Sequence, residues 1–293
     1  MKPCGSGITF GGIVVPILLA AASPALGQNR GRDATPRQFV DAITVQTEGQ
    51  APRFHEPVCP FSYGLPADYN RVVAARIREL ADETGIAVDA DEDCTPNLIV
   101  MIADDSEEVM AVLRRTRPDI FTGMRSGEVQ RAIEGRGPVR SWQSSEVRMA
   151  EADFLPESRD AYLNQDVHLW HGVPASFLRE TVRRELRLSV VLFDLAAIDG
   201  LSLMQIADHA AMRGLAPTRP AAAAEGRSIL ALFGDVGAGR ATPVAGATNW
   251  DEAYLAALYR QNGATREGLQ RQAIAGLVER NLARETAAAT PDR

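Results

Sequence analysis

Lysine is all but missing from this 293-residue chain. Lys2 is the only one, and every later basic side chain except the histidines is arginine. Spread evenly, those arginines read as codon usage rather than as a basic patch. The formal net charge is -7, and an acidic surface repels phosphate backbones and anionic lipid, which argues against nucleic acid and membrane surfaces as partners. Cysteine is scarce too, with three residues and no CxxC or CxxH spacing, so a zinc ribbon or finger is excluded. Nucleophile motifs are also lacking. Ser62, Ser144, Ser145 and Ser228 stand outside any Gly-x-Ser-x-Gly context. "GDVGAG" at 234–239 lacks the Lys-Ser/Thr of a phosphate loop and the strand-to-helix setting of a dinucleotide site. No catalytic residue and no cofactor is specified.

What is present begins at the N-terminus. Lys2, the apolar run "ITFGGIVVPILLAAA" and the small residues of "SPALGQ" have the order of a secretory signal peptide, residues 1–27, with cleavage expected between Gly27 and Gln28. The run falls short of the roughly 20 residues a membrane span needs, and Pro16 interrupts it. No cysteine stands at the cleavage point. Cleavage would remove Lys2 and no acid, taking the net charge to about -8. The expectation is a periplasmic or secreted protein without a further membrane span. Cys4 would leave with the signal, so Cys59 and Cys94 are expected to form a disulfide in an oxidising compartment. A single domain is expected over residues 28–284, with a disordered tail at 285–293.

Local patterns give the elements. Thr35 and Pro36 suit the cap and first position of a short helix in "RQFVDAITV". "FHEPVCPFSYGLPADY" is a proline-rich irregular crossing. In "DYNRVVAARIRELADETG" Val73, Ile77, Leu80 and Thr84 recur at helical spacing, and Gly85 is the stop. Two short β-branched runs follow, the second being "NLIVMIA". Asp105 with Glu108 caps a helix that Pro118 ends, and Ser126 and Gly135 bound another. "PVRSWQSSEVRM" reads as a strand or hairpin, 150–176 as irregular, and "LRLSVVLFDL" as a strand. Ser202 with Gln205 caps a helix at 203–214, whose apolar face holds Leu203, Met204, Ile206, Ala207, Ala210 and Ala211. Gln205, Asp208, His209 and Arg213 are expected on its polar side. An Ala/Pro-rich loop, "SILALF", a helix "WDEAYLAALYR" capped by Asn249 and Glu252, and an amphipathic helix at 266–284 complete the chain. The fold class is α+β, a mixed sheet packed on helices.

The order helix, strand, insertion, strand, capped helix, Gly214-Leu215, "SILALF" and "NWDEAYLAALY" resembles the catalytic region of metzincin-type zinc peptidases, over roughly residues 68–104 and 186–260. It is also similar to a set of uncharacterised exported proteins of Gram-negative bacteria whose helix is altered in the same way. The metzincin helix carries HExxHxxGxxH. Registered on Gly214-Leu215, the resemblance puts Ala207 and Ala211 where two histidine ligands belong, Asp208 in place of the catalytic glutamate, and Pro217 in place of the third histidine. Side chains four apart on a helix lie about 40° from each other, which lets two imidazoles share an ion. Alanine has no lone pair to offer, and His209 points about 200° away from Ala207. The resemblance therefore implies a metzincin-like fold without its metal.

The remaining histidines supply one alternative. His168 and His171 in "DVHLWHG", with Asp166, have a spacing that could chelate a metal. His55 beside Glu56 lies in the proline-rich crossing and reads as structural. The leading expectation is a non-catalytic exported protein that binds a peptide or another partner in the cell envelope. The alternative is a hydrolase with an unfamiliar site, metal-dependent through His168 and His171.

Overall fold

The apolar run "LRLSVVLFDL" becomes the spine of the sheet. In the computed structural model the described residues are 35–47, 49–135, 137–149, 158–160, 165–167, 182–219, 227–234, 244–261, 265 and 267–289, the two three-residue pieces through their backbone alone. Residues 1–27, the expected signal peptide, and His168 and His171 lie outside them. Four strands form the main sheet: β1 (Pro60–Tyr63), β2 (Leu98–Ala103), β3 (Val139–Met149) and β6 (Val182–Asp194). Their order is β1-β2-β6-β3. The first three are parallel, and β3 runs antiparallel along β6 at the edge. Two further short strands, β4 (Ser158–Asp160) and β5 (Gln165–Val167), pair antiparallel. They stand within a stretch the sequence reads as irregular, because three-residue strands carry too little alternation to see.

Both faces of this sheet are covered, which is why β2 and the second half of β6, Val190–Phe193, are apolar rather than alternating. On one face lie α2 (Ala67–Glu83) and α5 (Leu203–Gly214), packed on each other and on the strands. On the other lie α3 (Ser106–Thr116), a 3-10 turn (Pro118–Phe121) and α4 (Ser126–Glu134). β2 divides its side chains accordingly. Leu98, Val100 and Ile102 enter the larger core, while Ile99, Met101 and Ala103 pack on the smaller one around Trp142, Phe121 and Met110. Single-domain α+β architecture follows from this arrangement.

The ends of the chain close the larger core. α1 (Pro36–Ile43) begins at Thr35 with the expected capping box and packs against α7 (Glu267–Ala289). That last helix runs past the boundary expected at Arg284, and α6 (Asn249–Arg260) lies along it. α6 is capped one residue earlier than the sequence suggests, by Thr248 with Asp251 rather than Asn249 with Glu252. Asp251 wins because it is wholly buried and also accepts hydrogen bonds from Ser228 and Ile229. α4 is likewise shifted, with Arg125 in the cap position and its N–H donating to Glu128. Cys59 and Cys94 are joined by the expected disulfide, which ties the residue before β1 to the loop before β2. A closed loop of this length contributes about 4 kcal/mol in the chain-entropy account. Among the described residues no helix is long and apolar enough to cross a membrane.

Candidate functional site

α5 is the place to look first. Its capping box at Ser202 and Gln205 is as expected, but its polar side is not. Asp208, His209 and Arg213 are 0%, 4% and 5% exposed, and every residue from Ile206 to Gly214 is buried. The correction has a physical cause in the neighbours, since α2, the sheet and the 3-10 turn Ile229–Phe233 together surround the helix. Each polar group on it is accommodated individually. Asp208 accepts from Arg76 Nε on α2 at 2.7 Å and from the Ala247 backbone N–H at 2.6 Å. Burial lowers the affinity of Arg76 for its proton, but the hydrogen bonds to Asp208 and Glu79 outweigh it and hold the guanidinium above its ordinary value. Gly246 must be glycine, because a Cβ there would stand 2.5 Å from Asp208 Oδ2.

His209 is held between Phe193 and Phe233, with ring centroids 5.7 and 4.8 Å away. Its Nδ1 has no hydrogen-bond partner among the described residues. Burial, helped by the charge of Arg213, pushes the imidazole down to about 3, so it is neutral at pH 7. Arg213 donates to the Thr218 carbonyl and to its hydroxyl, and burial brings the guanidinium down to about 10. Ala207 and Ala211 are wholly buried among aliphatic side chains. The segment that would carry a metal in the resemblance is a sealed core helix. Gly214 has its own packing reason, since a Cβ there would meet Leu98 Cδ1 at 2.9 Å.

The chain leaves this core abruptly. Pro217 and Thr218 form part of one wall of a groove of about 270 Å³ that follows the outer edge of β3. Ser141, Gln143 and Ser145 lie along its floor, Met124 with Glu128 and Arg131 of α4 gives the opposite wall, and Val45, Thr47 and Pro52 continue the first. The register fixes which peptide groups face the opening. Asp194 N–H donates to Pro138 C=O at 3.0 Å, and Ser189 N–H turns the other way, to Asn97 C=O. Alternation along the antiparallel ladder then aims the peptide groups of Arg140, Trp142 and Ser144 at β6, and those of Val139, Ser141 and Gln143 away from it. Gln143 is fixed by a 2.8 Å bond from Nε2 to the Arg213 carbonyl. One end of the groove is shut where the Ser144 hydroxyl donates to Thr122 C=O and the backbone of Gly123 (φ 76°) lies on the Ser145 carbonyl. The sequence reads "PVRSWQSSEVRM" as a strand or hairpin; it is a single strand, and its edge position is missed although its serines and glutamine are a legible hint of a half-solvated face.

The other sequence candidates are dispersed. Asp166 lies in β5, and its proposed companions His168 and His171 fall outside the described residues. Among the described residues no three His, Cys, Asp or Glu side chains converge on one point. His55 stands 3.8 Å from Glu185, and Glu56 pairs with Arg187 at 2.5 Å. The Ser62 hydroxyl donates to Asn70, and Ser145 accepts from Arg184. Ser228 donates to Asp251 at 2.5 Å and caps the 3-10 turn. Burial raises the Asp251 carboxyl to about 6 despite four hydrogen bonds that favour its charge. Each of these serines serves packing. Compared with family models, with curated proteins and with solved structures, the chain finds no match.

Proposed function

We propose that this protein is an exported, non-catalytic binding module that captures an extended peptide segment by adding it as a strand to the outer edge of β3. The observation that carries the reading is a strand edge, unpaired among the described residues, that lies in a groove with the peptide groups of Ser141 and Gln143 turned toward the opening. An incoming strand would exchange main-chain hydrogen bonds with those groups, and its alternate side chains would meet the α4 wall and the Pro217–Thr218 wall. Main-chain bonds contribute about 0.5 to 1.5 kcal/mol each, so the four groups of Ser141 and Gln143 supply about 2 to 6 kcal/mol, and a micromolar affinity, about 8 kcal/mol, requires the side-chain contacts with the walls as well.

Descent from the metzincin frame is part of the proposal: the Gly214-Leu215 landmark and the closing Leu258-Tyr259 support it, and the alanines remove the metal. Tyr259 donates to the Leu215 carbonyl at 2.8 Å, which links the two landmarks directly. Export is supported by the N-terminal pattern and by the disulfide, a bond that persists in oxidising compartments. The partner on this reading is a protein of the cell envelope with an extended segment.

The substitution Ser141→Pro tests it. The Ser141 N–H faces away from β6, so proline there removes a donor in the groove without breaking the ladder. The variant should give the wild-type circular dichroism spectrum and lose retention of extended peptides on an array of envelope-protein segments. Equal retention by the variant, or none by the wild type, would defeat the reading. Stoichiometric zinc in protein purified without chelators would defeat the metal-free descent.

A further inference from the structure

We infer that the strand accepted by the β3 groove is an acidic one, an internal segment carrying aspartate or glutamate side chains; this rests on the strand-addition reading above. The inference starts from charge. Although the chain as a whole is acidic, each wall of the groove has on it or behind it an arginine with no carboxylate partner among the described residues. Arg131, on the α4 wall, is exposed and makes no ion pair among the described residues. On the other wall Arg213 lies directly behind Thr218, and its bonds go to that residue's carbonyl and hydroxyl, which are neutral acceptors. The acid that lines the groove, Glu128, is occupied at the start of α4. Its carboxylate accepts from the Arg125 N–H at 2.9 Å, where the helix dipole offsets its charge.

A buried guanidinium without a counterion is costly. Arg213 sits where little water screens it, so its field is felt in the groove more strongly than that of an exposed side chain. A strand whose carboxylates point toward these walls would pair with Arg131 and lie in the field of Arg213 behind Thr218. A lysine-bearing strand would be repelled, which gives discrimination that main-chain hydrogen bonds alone cannot supply.

The test uses the full exported chain with its disulfide and three fluorescent peptides of about ten residues, acetylated and amidated, in which valine alternates with glutamate, glutamine or lysine. In anisotropy titrations at low salt the glutamate peptide should bind about five- to tenfold more tightly than the glutamine peptide, the size expected for one or two partly exposed ion pairs. The advantage should shrink as salt rises. R131Q, at an exposed position that leaves the fold intact, should remove most of it, and R131E should reverse the order of the glutamate and lysine peptides. Equal affinities for all three peptides, each still abolished by S141P, would overturn the acidic preference and leave strand addition standing. No binding of any of them would overturn both. If a glutamine peptide with a free C-terminal carboxylate matches the glutamate peptide, the anchor is a chain terminus, and the internal-segment inference is overturned.

Discussion

Helix α5 and strand β3 are joined by the single bond from Gln143 to the Arg213 carbonyl, yet they have opposite relations to solvent. From Ile206 to Gly214 α5 is buried, and the charged groups it carries there are answered one by one from α2, from the loop before α6 and from Thr218. Among the described residues β3 is paired on one side only, and the peptide groups of its outer edge face a groove. The difference teaches where function can reside here. Chemistry that needs a side chain on α5 would have to reach through a packed core, whereas recognition by the backbone of β3 needs only that something extended arrive.

The comparison can be broken most severely by restoring imidazoles to the closed side. Ala207→His with Ala211→His should destabilise the protein by about 4 to 6 kcal/mol through overpacking and unpaired polar atoms. Added zinc should not raise the melting temperature of that variant. A zinc-dependent rise would show that the core can open at α5. Gly246→Ala places a methyl group against Asp208, and a loss of about 2 to 3 kcal/mol is expected in urea denaturation, with none if the loop before α6 yields freely.

His209→Phe sharpens the same contrast through pH. The native imidazole sits at about 3 against an ordinary value near 6.5 in the unfolded chain. Its contribution is therefore fully present above the unfolded value and is lost as pH falls toward the native one. Wild type should lose about 2 kcal/mol relative to the phenylalanine variant between pH 7 and pH 5, measured as the change in their stability difference. Asp251, raised to about 6, acts in the other sense: its native pKa lies above the unfolded one, so acidification through 6 favours the folded state. The variant alone should expose that gain, and a constant difference between the two proteins would contradict a buried neutral His209. On the open side the effect is smallest. Ser141→Pro should change stability by less than about 1 kcal/mol, and a larger loss would mean that the outer edge of β3 is already paired.

Much of the fold is legible because it depends on local spacing. Val73, Ile77 and Leu80 mark α2, the apolar runs mark β2 and β6, and Thr35 and Ser202 mark two helix starts. The cap of α6 is misplaced by one residue because Thr248 and Asn249 are both good caps with acids at the matching offset, and only the buried partners of Asp251 decide between them. The enclosure of Asp208, His209 and Arg213 is hidden for a different reason. Arg76 lies far away in sequence, and nothing local announces that α2 will bring it to Asp208. The groove is hidden by topology: β3 is an edge strand because β6 inserts between it and β2, an outcome of the whole sheet.

The walls beside β3 have a last consequence, for the protein in concentrated solution. An open sheet edge invites its like, and molecules with flat exposed edges stack into aggregates. Here the bare strand is recessed between α4 and the Pro217–Thr218 corner, so a slender single chain fits where a neighbouring folded sheet is kept off by its own bulk. On the strand-addition reading, the shape that would admit a guest would also guard the molecule against sticking to itself.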